Sequence, residues 1–181
     1  MSVYRRVLVL GGARSGKSRI ALKLAESAST QRVYIATAQA FDDEMRERIA
    51  HHQAERDYSW QTADAPFKLT KAVQAQTAPG RAVLVDCLTL WLSNLLLAEH
   101  DIGQETDQLL DTIRGVKGPL ILVSNEVGHG IVPSTPLGRR FRDEQGRLNQ
   151  RIAEACDAVV FVAAGCPILL KPAPPLDVKL G

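Results

Sequence analysis

The segment GGARSGKS, residues 11 to 18, carries the clearest chemical signal in the sequence. Taken from Gly11 it is G-x-x-x-x-G-K-S, the pattern of a loop that binds phosphates. Its glycines let main-chain N–H groups turn toward an anion, and the helix that follows points the positive end of its dipole at the same place. A glycine-rich turn that binds nothing is the alternative. An apolar run before the loop and helical spacing after it favour nucleotide binding.

The side chains of this loop have distinct expected roles. Lys17 would reach the β- and γ-phosphates, and the Ser18 hydroxyl would ligate Mg²⁺. Lys17 is also a candidate catalytic residue, because its ammonium group would offset charge on the transferring phosphates. The main-chain amides expected to surround the phosphates belong to Gly11, Gly12, Ala13, Arg14, Ser15 and Gly16.

Asp86 is a second candidate metal ligand, because it ends the apolar run RAVLVD, residues 81 to 86. Ligands of open α/β sheets collect at the carboxyl ends of strands, and a phosphate loop needs a carboxylate there to help hold the metal. Aspartate is also a favoured helix N-cap, here for a segment that begins at Leu88. The two roles are compatible.

Two adjacent histidines lie within RERIAHHQAER, residues 46 to 56. On a helix, His52 shares the apolar face of Ile49, so we expect it to pack rather than react. His51 lies on the polar face, where a neutral imidazole can act as a nucleophile toward phosphorus. Arg48, one turn back, could offset phosphate charge. A solvated surface histidine is the alternative for His51, and spacing alone favours it.

Elements that could position these groups alternate along the chain. Apolar runs typical of strands buried on both faces cover RRVLVLGG from Arg5 and residues 33–38, 81–86, 119–125 and 157–165. Helical spacing covers residues 17–27, 42–56, about 66–76, 88–98, 104–115 and about 137–155. This alternation predicts an α/β fold, with a mostly parallel sheet flanked by helices as in P-loop NTPases.

The whole-chain values limit the classes of protein. A length of 181 residues predicts one domain, which we place at 1–170, before the proline-rich KPAPPLDVKLG tail at 171–181. With 45% hydrophobic and 23% charged residues the composition is that of a globular protein. The balance of 22 Lys and Arg against 20 Asp and Glu argues against a nucleic-acid partner.

Other patterns concern compartment and class. The three cysteines are widely spaced without a CxxC pair, which argues against a zinc site or a disulfide framework. No apolar run is long enough to span a bilayer and MSVYRRVLVLGG does not resemble a signal peptide, so we expect a cytoplasmic protein. VSNEVGHG, from Val123, is not the guanine-reading Asn-Lys-x-Asp of small GTPases, whereas the size suits a small-molecule kinase.

Several segments together resemble the bifunctional adenosylcobinamide kinase / adenosylcobinamide-phosphate guanylyltransferase family of cobalamin biosynthesis. They are LGGARSGKSR (10–19), YIATAQAFDDEMRERIAHH (34–52), WQTADAP (60–66), VDCLTLWLSNLL (85–96) and VSNEVGHGIVPSTPLGRRFRDEQGRLNQRIAEACDAVVFVAAG (123–165). Many unrelated proteins carry a phosphate loop, but NEVGHGIVP followed by GRRFRDEQGRLNQ is far more specific. The segments cover most of the chain in the expected order.

The resemblance implies two reactions. The enzyme first phosphorylates the aminopropanol hydroxyl of adenosylcobinamide with ATP or GTP. A histidine at the position of His51 then takes up GMP from GTP as a guanylyl-histidine and releases pyrophosphate. The GMP passes to adenosylcobinamide phosphate, which gives adenosylcobinamide-GDP. Relatives also imply a homotrimer.

The resemblance also assigns nucleotide contacts. Besides the loop from Gly11 to Ser18, they fall on Ala36, Thr37, Ala38, His52, Gln53, Ala54, Glu55, Asp64 and Asp86. The family usually has glutamate at the position of Asp64, and some relatives have glutamate at that of Asp86. Aspartate shortens the reach by one methylene and keeps the carboxylate.

Some roles stay open on sequence alone. Glu126 could face the same site, or it could cap a helix or fix its own loop. Arg139, Arg140 and Arg142 could contact phosphate or corrinoid, although a solvated helix face is favoured. A monofunctional kinase in which His51 is incidental, and a non-catalytic GTP-dependent regulatory module, are the rival functions.

Overall fold

The structure of the protein is a computed structural model that describes residues 3–40, 47, 56–174 and 177–178. Its strands are β1 Arg6–Gly11, β2 Gln31–Ala36, β3 Trp60–Asp64, β4 Arg81–Asp86, β5 Leu120–Asn125, β6 Ala158–Ala163 and β7 Cys166–Lys171. Its helices within the described residues are α1 Lys17–Ala28, α2 Leu69–Gln76, α3 Leu88–Leu97, α4 Ile102–Gly115 and α5 Pro136–Ala155.

The strands form a single sheet in the order β3-β2-β4-β5-β1-β6-β7. Every neighbouring pair is parallel except β6 and β7, which are antiparallel. Helices cover both faces, so the central strands are fully buried and their sequences are almost continuously apolar. The predicted α/β class and mostly parallel sheet are confirmed.

The core lies in two layers, one on each side of the sheet. On one side, which we call the α1 face, Ala21, Leu22 and Ala25 of α1 pack against Val9 of β1 and Leu84 of β4. The larger layer, on the opposite face, is built from the other four helices. Because α1 follows the phosphate loop directly, this packing fixes the loop against the sheet.

Local sequence signals explain where the later helices begin. Thr135 precedes α5 and its Oγ1 accepts a hydrogen bond from the Gly138 amide at 3.1 Å, while Pro136 occupies the first turn, where its missing N–H costs nothing. Asp101 caps α4 in the same way and accepts from the Gln104 amide at 3.0 Å. These caps agree with the predicted helices.

Two strands were not predicted. β3, of sequence WQTAD, lies at the sheet edge and is mostly exposed, so it lacks an apolar run. β7 returns antiparallel to β6 after Ala164 and Gly165, which have φ values of 50° and 78°. Successive positive φ values are typical of a tight hairpin turn, and an edge strand can accommodate Pro167.

The remaining boundaries of helices and strands are close to those predicted, with two exceptions. The helix expected over 42–56 falls almost entirely outside the described residues. The division into a domain and a tail at residue 171 stays a prediction, although Lys171 ends β7 and donates from Nζ to the Ala153 carbonyl at 2.8 Å. A separate finding concerns membranes: none of the helices in the described part of the chain has the length and apolarity needed to cross one.

Candidate active site

The phosphate loop lies between β1 and α1 and curls tightly on itself. A Cβ atom on Gly11 would lie 2.5 Å from Ser15 Oγ and 2.6 Å from the Val162 carbonyl oxygen, so only glycine fits there. Gly16 has a φ of 91°, in the left-handed region that favours glycine. Both glycines that define the sequence pattern are therefore required by the backbone.

Hydrogen bonds hold the loop in this shape. The Ser15 amide donates to the Gly12 carbonyl at 3.3 Å, and the Gly165 amide donates to the Ser15 carbonyl at 2.8 Å. Lys17 Nζ donates to the Gly12 carbonyl at 3.1 Å and so lies across the loop. The loop is thus tied to the β6–β7 turn. The Lys17 ammonium group already lies beside the main chain that would surround the phosphates.

The predicted strand-end residues lie side by side. Ala36, at the end of β2, is in register with Asp64 of β3 on one side and Asp86 of β4 on the other. Thr37 and Ala38 continue from the same edge. The sheet therefore brings together both predicted carboxylates and the segment after β2, although Asp64 is exposed whereas Asp86 is partly buried.

Thr37 fixes the connection between these strands. Its hydroxyl donates to the Cys87 carbonyl at 2.7 Å and accepts from the Cys87 amide at 2.9 Å. The side-chain amide of Asn94, from α3, donates to the Thr37 carbonyl at 2.9 Å. Thr37 is fully buried, so we assign it a structural role in holding the strand end that carries Asp86.

Asp86 has the features of a cation ligand. Its Oδ2 atom is buried and has no hydrogen-bond partner within the described residues. The N-cap of α3 is Cys87 and makes no side-chain capping bond, so the alternative interpretation of Asp86 as that N-cap is wrong. An unpaired buried carboxylate oxygen is costly unless a ligand satisfies it. Together with Ser18 in the first turn of α1, it fits Mg²⁺, which commonly binds one or two protein groups plus substrate phosphates.

Two ionisable groups close to Asp86, the Tyr34 hydroxyl and the Cys87 thiol, stay neutral. Burial, and next the negative charge of Asp86, raise the pKa of the Tyr34 hydroxyl. The same two causes raise the pKa of the Cys87 thiol to about 12. A thiol needs its thiolate form to attack, so Cys87 is excluded as a nucleophile in this site.

Glu126 follows β5 and has a local role. Its amide donates to the Gly11 carbonyl at 3.1 Å, and its Oε1 accepts from the Gly128 amide at 2.6 Å. The loop-fixing interpretation of Glu126 is therefore confirmed.

Of the three candidate arginines of α5, Arg139 and Arg140 are exposed and Arg142 is partly buried. Arg139 donates to the Pro133 and Ser134 carbonyls at 3.0 and 2.8 Å, Arg142 pairs with Asp143 at 3.2 Å, and Arg140 is exposed. These contacts fit the favoured interpretation of a solvated helix face.

The predicted nucleophile and its neighbours cannot be placed. His51, His52, Gln53, Ala54 and Glu55 lie outside the described residues. The next described residue is Arg56, whose guanidinium carbon lies 3.6 Å from the Tyr34 ring centroid. Tyr34 belongs to the α1 face, so Arg56 lies on the side of the sheet that carries the phosphate loop.

Sequence reasoning missed a buried polar cluster beside the loop. Ser124, Asn125, Gln145 and Asn149 were quoted only as parts of longer motifs, yet Gln145 is fully buried and Asn149 is 6% exposed. The available signal was their position: α5 presents these two carboxamides on the same face as Leu148 and Ile152. Buried carboxamides need partners, and here both side-chain nitrogens find them at the end of β5, whereas Gln145 Oε1 has no partner within the described residues.

Comparisons with known proteins identify the family of the chain. A model of the family described as cobinamide kinase / cobinamide phosphate guanyltransferase matches residues 7–170. The bifunctional adenosylcobalamin biosynthesis protein CobP of Pseudomonas aeruginosa is 49% identical over 171 residues, which cover 93% of this chain and 99% of the relative. The corresponding protein CobU of Salmonella typhimurium is 42% identical over 180 residues, which cover 91% of this chain and 99% of the relative.

A solved structure supports the fold alone. The P4 protein from bacteriophage phi6, determined in complex with ADP, matches with a TM-score of 0.51 at 16% identity, over 94% of this chain and 59% of that one. The family match covers most of the chain. The phosphate loop and the strand-end carboxylates of the chain lie at the carboxyl ends of the strands. The chain therefore belongs to the cobinamide kinase / cobinamide phosphate guanyltransferase family of enzymes.

Proposed function

We propose that the protein phosphorylates the aminopropanol hydroxyl of adenosylcobinamide with ATP or GTP and then transfers GMP from GTP to adenosylcobinamide phosphate. The products of the second reaction are adenosylcobinamide-GDP and pyrophosphate. The observation that carries the proposal is the phosphate loop at the same end of the strands as a buried Asp86 oxygen that has no partner among the described residues, in a chain of this family. We also place the enzyme in the cytoplasm, where its nucleotide substrates ATP and GTP are available.

The loop binds the triphosphate in both reactions. Main-chain amides from Gly11 to Gly16 and the start of α1 offer donors, and Lys17 exchanges its bond to the Gly12 carbonyl for phosphate oxygens. Ser18 and Asp86 would hold Mg²⁺, which neutralises charge on the phosphates. Catalysis at this loop is positioning and electrostatic stabilisation rather than proton chemistry.

In the kinase step, the alcohol oxygen forms a bond to the γ-phosphorus. The bond from that phosphorus to the bridging oxygen breaks, the nucleoside diphosphate leaves, and the alcohol proton passes to solvent. Lys17 and the loop amides stabilise the negative charge that collects on the bridging oxygen.

In the guanylylation step, a ring nitrogen of neutral His51 attacks the α-phosphorus and pyrophosphate leaves. A phosphate oxygen of adenosylcobinamide phosphate then attacks the same phosphorus, and the bond to the imidazole breaks. This divides one displacement into two easier ones. The family description, the position of His51 on the polar side of its predicted helix and the location of Arg56 support the assignment.

Product analysis with purified variants tests the proposal. Wild-type enzyme supplied with adenosylcobinamide and GTP should yield both the phosphate and the GDP derivative. His51→Ala should yield only the phosphate, and Lys17→Met neither. Lys23→Met, on the exposed side of α1, is the matched control and should behave as wild type.

The outcomes separate the rival functions. A His51→Ala variant that still makes the GDP derivative would exclude His51 as the intermediate. A wild-type enzyme that makes only the phosphate would be a monofunctional kinase, and one that makes neither product while binding GTP would be a regulatory module.

We also propose that the enzyme is a homo-oligomer, a trimer by resemblance. The edge strand β7 supports self-association, because Ile168, Leu169 and Leu170 are 53%, 51% and 47% exposed. Light scattering should give three times the chain mass of 19.7 kDa. A mass equal to one chain would refute self-association.

A further inference from the structure

Asn125, the last residue of β5, carries a buried oxygen that the mechanism above does not use. Its Oδ1 atom has no hydrogen-bond partner within the part of the chain that the structure describes. Side chains alternate along a strand, and Ile121 and Val123 belong to the core on the α1 face, so Asn125 faces that side as well. In the sheet, Asn125 is in register with Gly11 of the phosphate loop.

The main chain at Asn125 is held from two sides. Its amide donates to Thr89 Oγ1 at 2.8 Å, and its carbonyl accepts from Asn149 Nδ2 at 3.0 Å. Asn149 Oδ1 in turn accepts from Ser124 Oγ at 2.7 Å and from Gln145 Nε2 at 2.9 Å. This buried network holds the main chain of Asn125, so its side chain projects from a fixed point of the strand.

Five buried side-chain oxygens in the described part of the chain have no partner: two belong to Thr70 of α2 and Gln145 of α5, and three lie around the loop. Besides Asn125 Oδ1, the three include Ser15 Oγ within the loop and Asp86 Oδ2 at the end of the neighbouring strand β4. A native fold rarely leaves such acceptors unpaired, because burial without a hydrogen bond is unfavourable. The common location of these three indicates that bound ligands supply the missing donors or cations.

The position of Asn125 in the sheet indicates which part of the bound nucleotide lies closest to it. Lys17 reaches the β- and γ-phosphates in loops of this kind, and its Nζ lies on the Gly12 carbonyl, which places the terminal phosphate at the start of the loop. β5 borders this end, since Asn125 pairs with Gly11 and the Glu126 amide donates to the Gly11 carbonyl. Asn125 therefore lies on the γ-phosphate side of the site.

A carboxamide oxygen accepts hydrogen bonds and repels phosphate oxygens, so its partner must be an N–H or O–H donor, and the substrate alcohol is the O–H donor of the kinase step. We propose that Asn125 contacts the substrate alcohol in the kinase step, and that its Oδ1 accepts the hydroxyl hydrogen and aims the alcohol oxygen at the γ-phosphorus. This rests on the proposed function. The amide takes no proton: the oxygen–phosphorus bond forms, the bridging bond breaks, the diphosphate leaves, and the proton passes to water.

Two near-isosteric variants test this role. Asn125→Leu removes the acceptor, so kcat for adenosylcobinamide phosphorylation should fall about 10- to 100-fold while KM for the nucleotide changes by less than about threefold. Labelling of the enzyme by GTP without corrinoid should keep its wild-type rate, because no alcohol takes part. Asn125→Asp keeps an acceptor oxygen and should recover much of kcat, with a higher nucleotide KM from charge repulsion.

Gln150→Leu, an exposed carboxamide change on α5, should match wild type in every assay. If Asn125→Leu slows labelling as much as phosphorylation, slows neither, or is no worse than Asn125→Asp, the role is refuted. Wild-type enzyme reports separately on the proposed function. Failure of wild type to phosphorylate adenosylcobinamide refutes both, whereas normal phosphorylation with an unimpaired Asn125→Leu refutes only the role of Asn125.

Discussion

At the scale of single residues, the site is an arrangement of unsatisfied groups. Lys17 bonds to its own loop until phosphates arrive, and Asp86 keeps a buried oxygen without a partner within the described residues. Cys87, beside it, stays a thiol because burial raises its pKa. The loop and the strand end thus favour anion and cation binding and leave nucleophilic attack to a group supplied from elsewhere.

The proposed nucleophile makes GMP transfer dependent on pH. His51 attacks as a neutral imidazole, and protonation removes the lone pair that forms the bond to phosphorus. Labelling of the enzyme by α-labelled GTP should therefore slow as pH falls through about 6 to 7, the range of an ordinary histidine. GTP binding, measured over the same range, is the control. A labelling rate that is unchanged at low pH would argue against His51.

Sequence predicted these residues unequally. Lys17 and Ser18 belong to a short pattern whose spacing alone implies their positions, and Asp86 is predicted from its place at the end of an apolar run. Asn125 belongs to no such pattern, and its significance depends on contacts with Thr89 and Asn149, which are distant in sequence. Such burial and pairing become visible only once α3 and α5 are packed against β5.

At the scale of elements, the loop depends on how closely β1 approaches its neighbours. Gly11→Ala places a Cβ atom against Ser15 Oγ and the Val162 carbonyl, whereas a Cβ atom on Gly12 meets nothing within 4 Å. Gly11→Ala should lower the free energy of unfolding by about 1–3 kcal/mol, and Gly12→Ala by less than ~1 kcal/mol. Urea unfolding of both variants measures this, and equal losses would contradict the packing.

The amino end of β1 is anchored by one carboxylate. Asp157 Oδ2 accepts from the Arg6 amide at 2.9 Å and from Arg6 Nε at 3.2 Å. Hydrogen bonding from the Arg6 side chain holds the pKa of Asp157 below its usual range, although partial burial acts in the opposite direction. The stabilisation is therefore present above the ordinary carboxyl pKa and is lost as pH falls through the lower folded-state value.

Replacing this carboxylate should show the same dependence. At pH 7, Asp157→Asn should lose about 1 kcal/mol, a modest value because the pair is partly exposed. The difference from wild type should begin to shrink below about pH 4, the ordinary carboxyl pKa, and should vanish as pH falls through the lower folded-state value. Asp111→Asn, which breaks an exposed pair with Arg114, is the control and should change little. A loss that persists undiminished in acid would contradict the charge-based account.

At the scale of the whole molecule, alternating apolar runs and helical segments were sufficient to predict the parallel sheet. They could not reveal β3 or β7, because both are edge strands whose residues are largely exposed. Neither strand shows a clear alternation of apolar and polar residues, and each forms by pairing with the adjacent strand of the sheet. The sheet that results aligns Gly11, Ala36 and Asp86 at the carboxyl ends of its strands, and the proposal that one loop serves two reactions rests on this alignment.

The central claim is that this single nucleotide site passes GMP through a ring nitrogen of His51. Intact-protein mass spectrometry after incubation with GTP and Mg²⁺, without corrinoid, tests it most directly. We predict a gain of one GMP in the wild-type enzyme and in His100→Ala, which changes a histidine that stacks on Phe67, and no gain in His51→Ala. An unmodified wild-type enzyme that nevertheless makes adenosylcobinamide-GDP, or an adduct that persists in His51→Ala, would contradict the account.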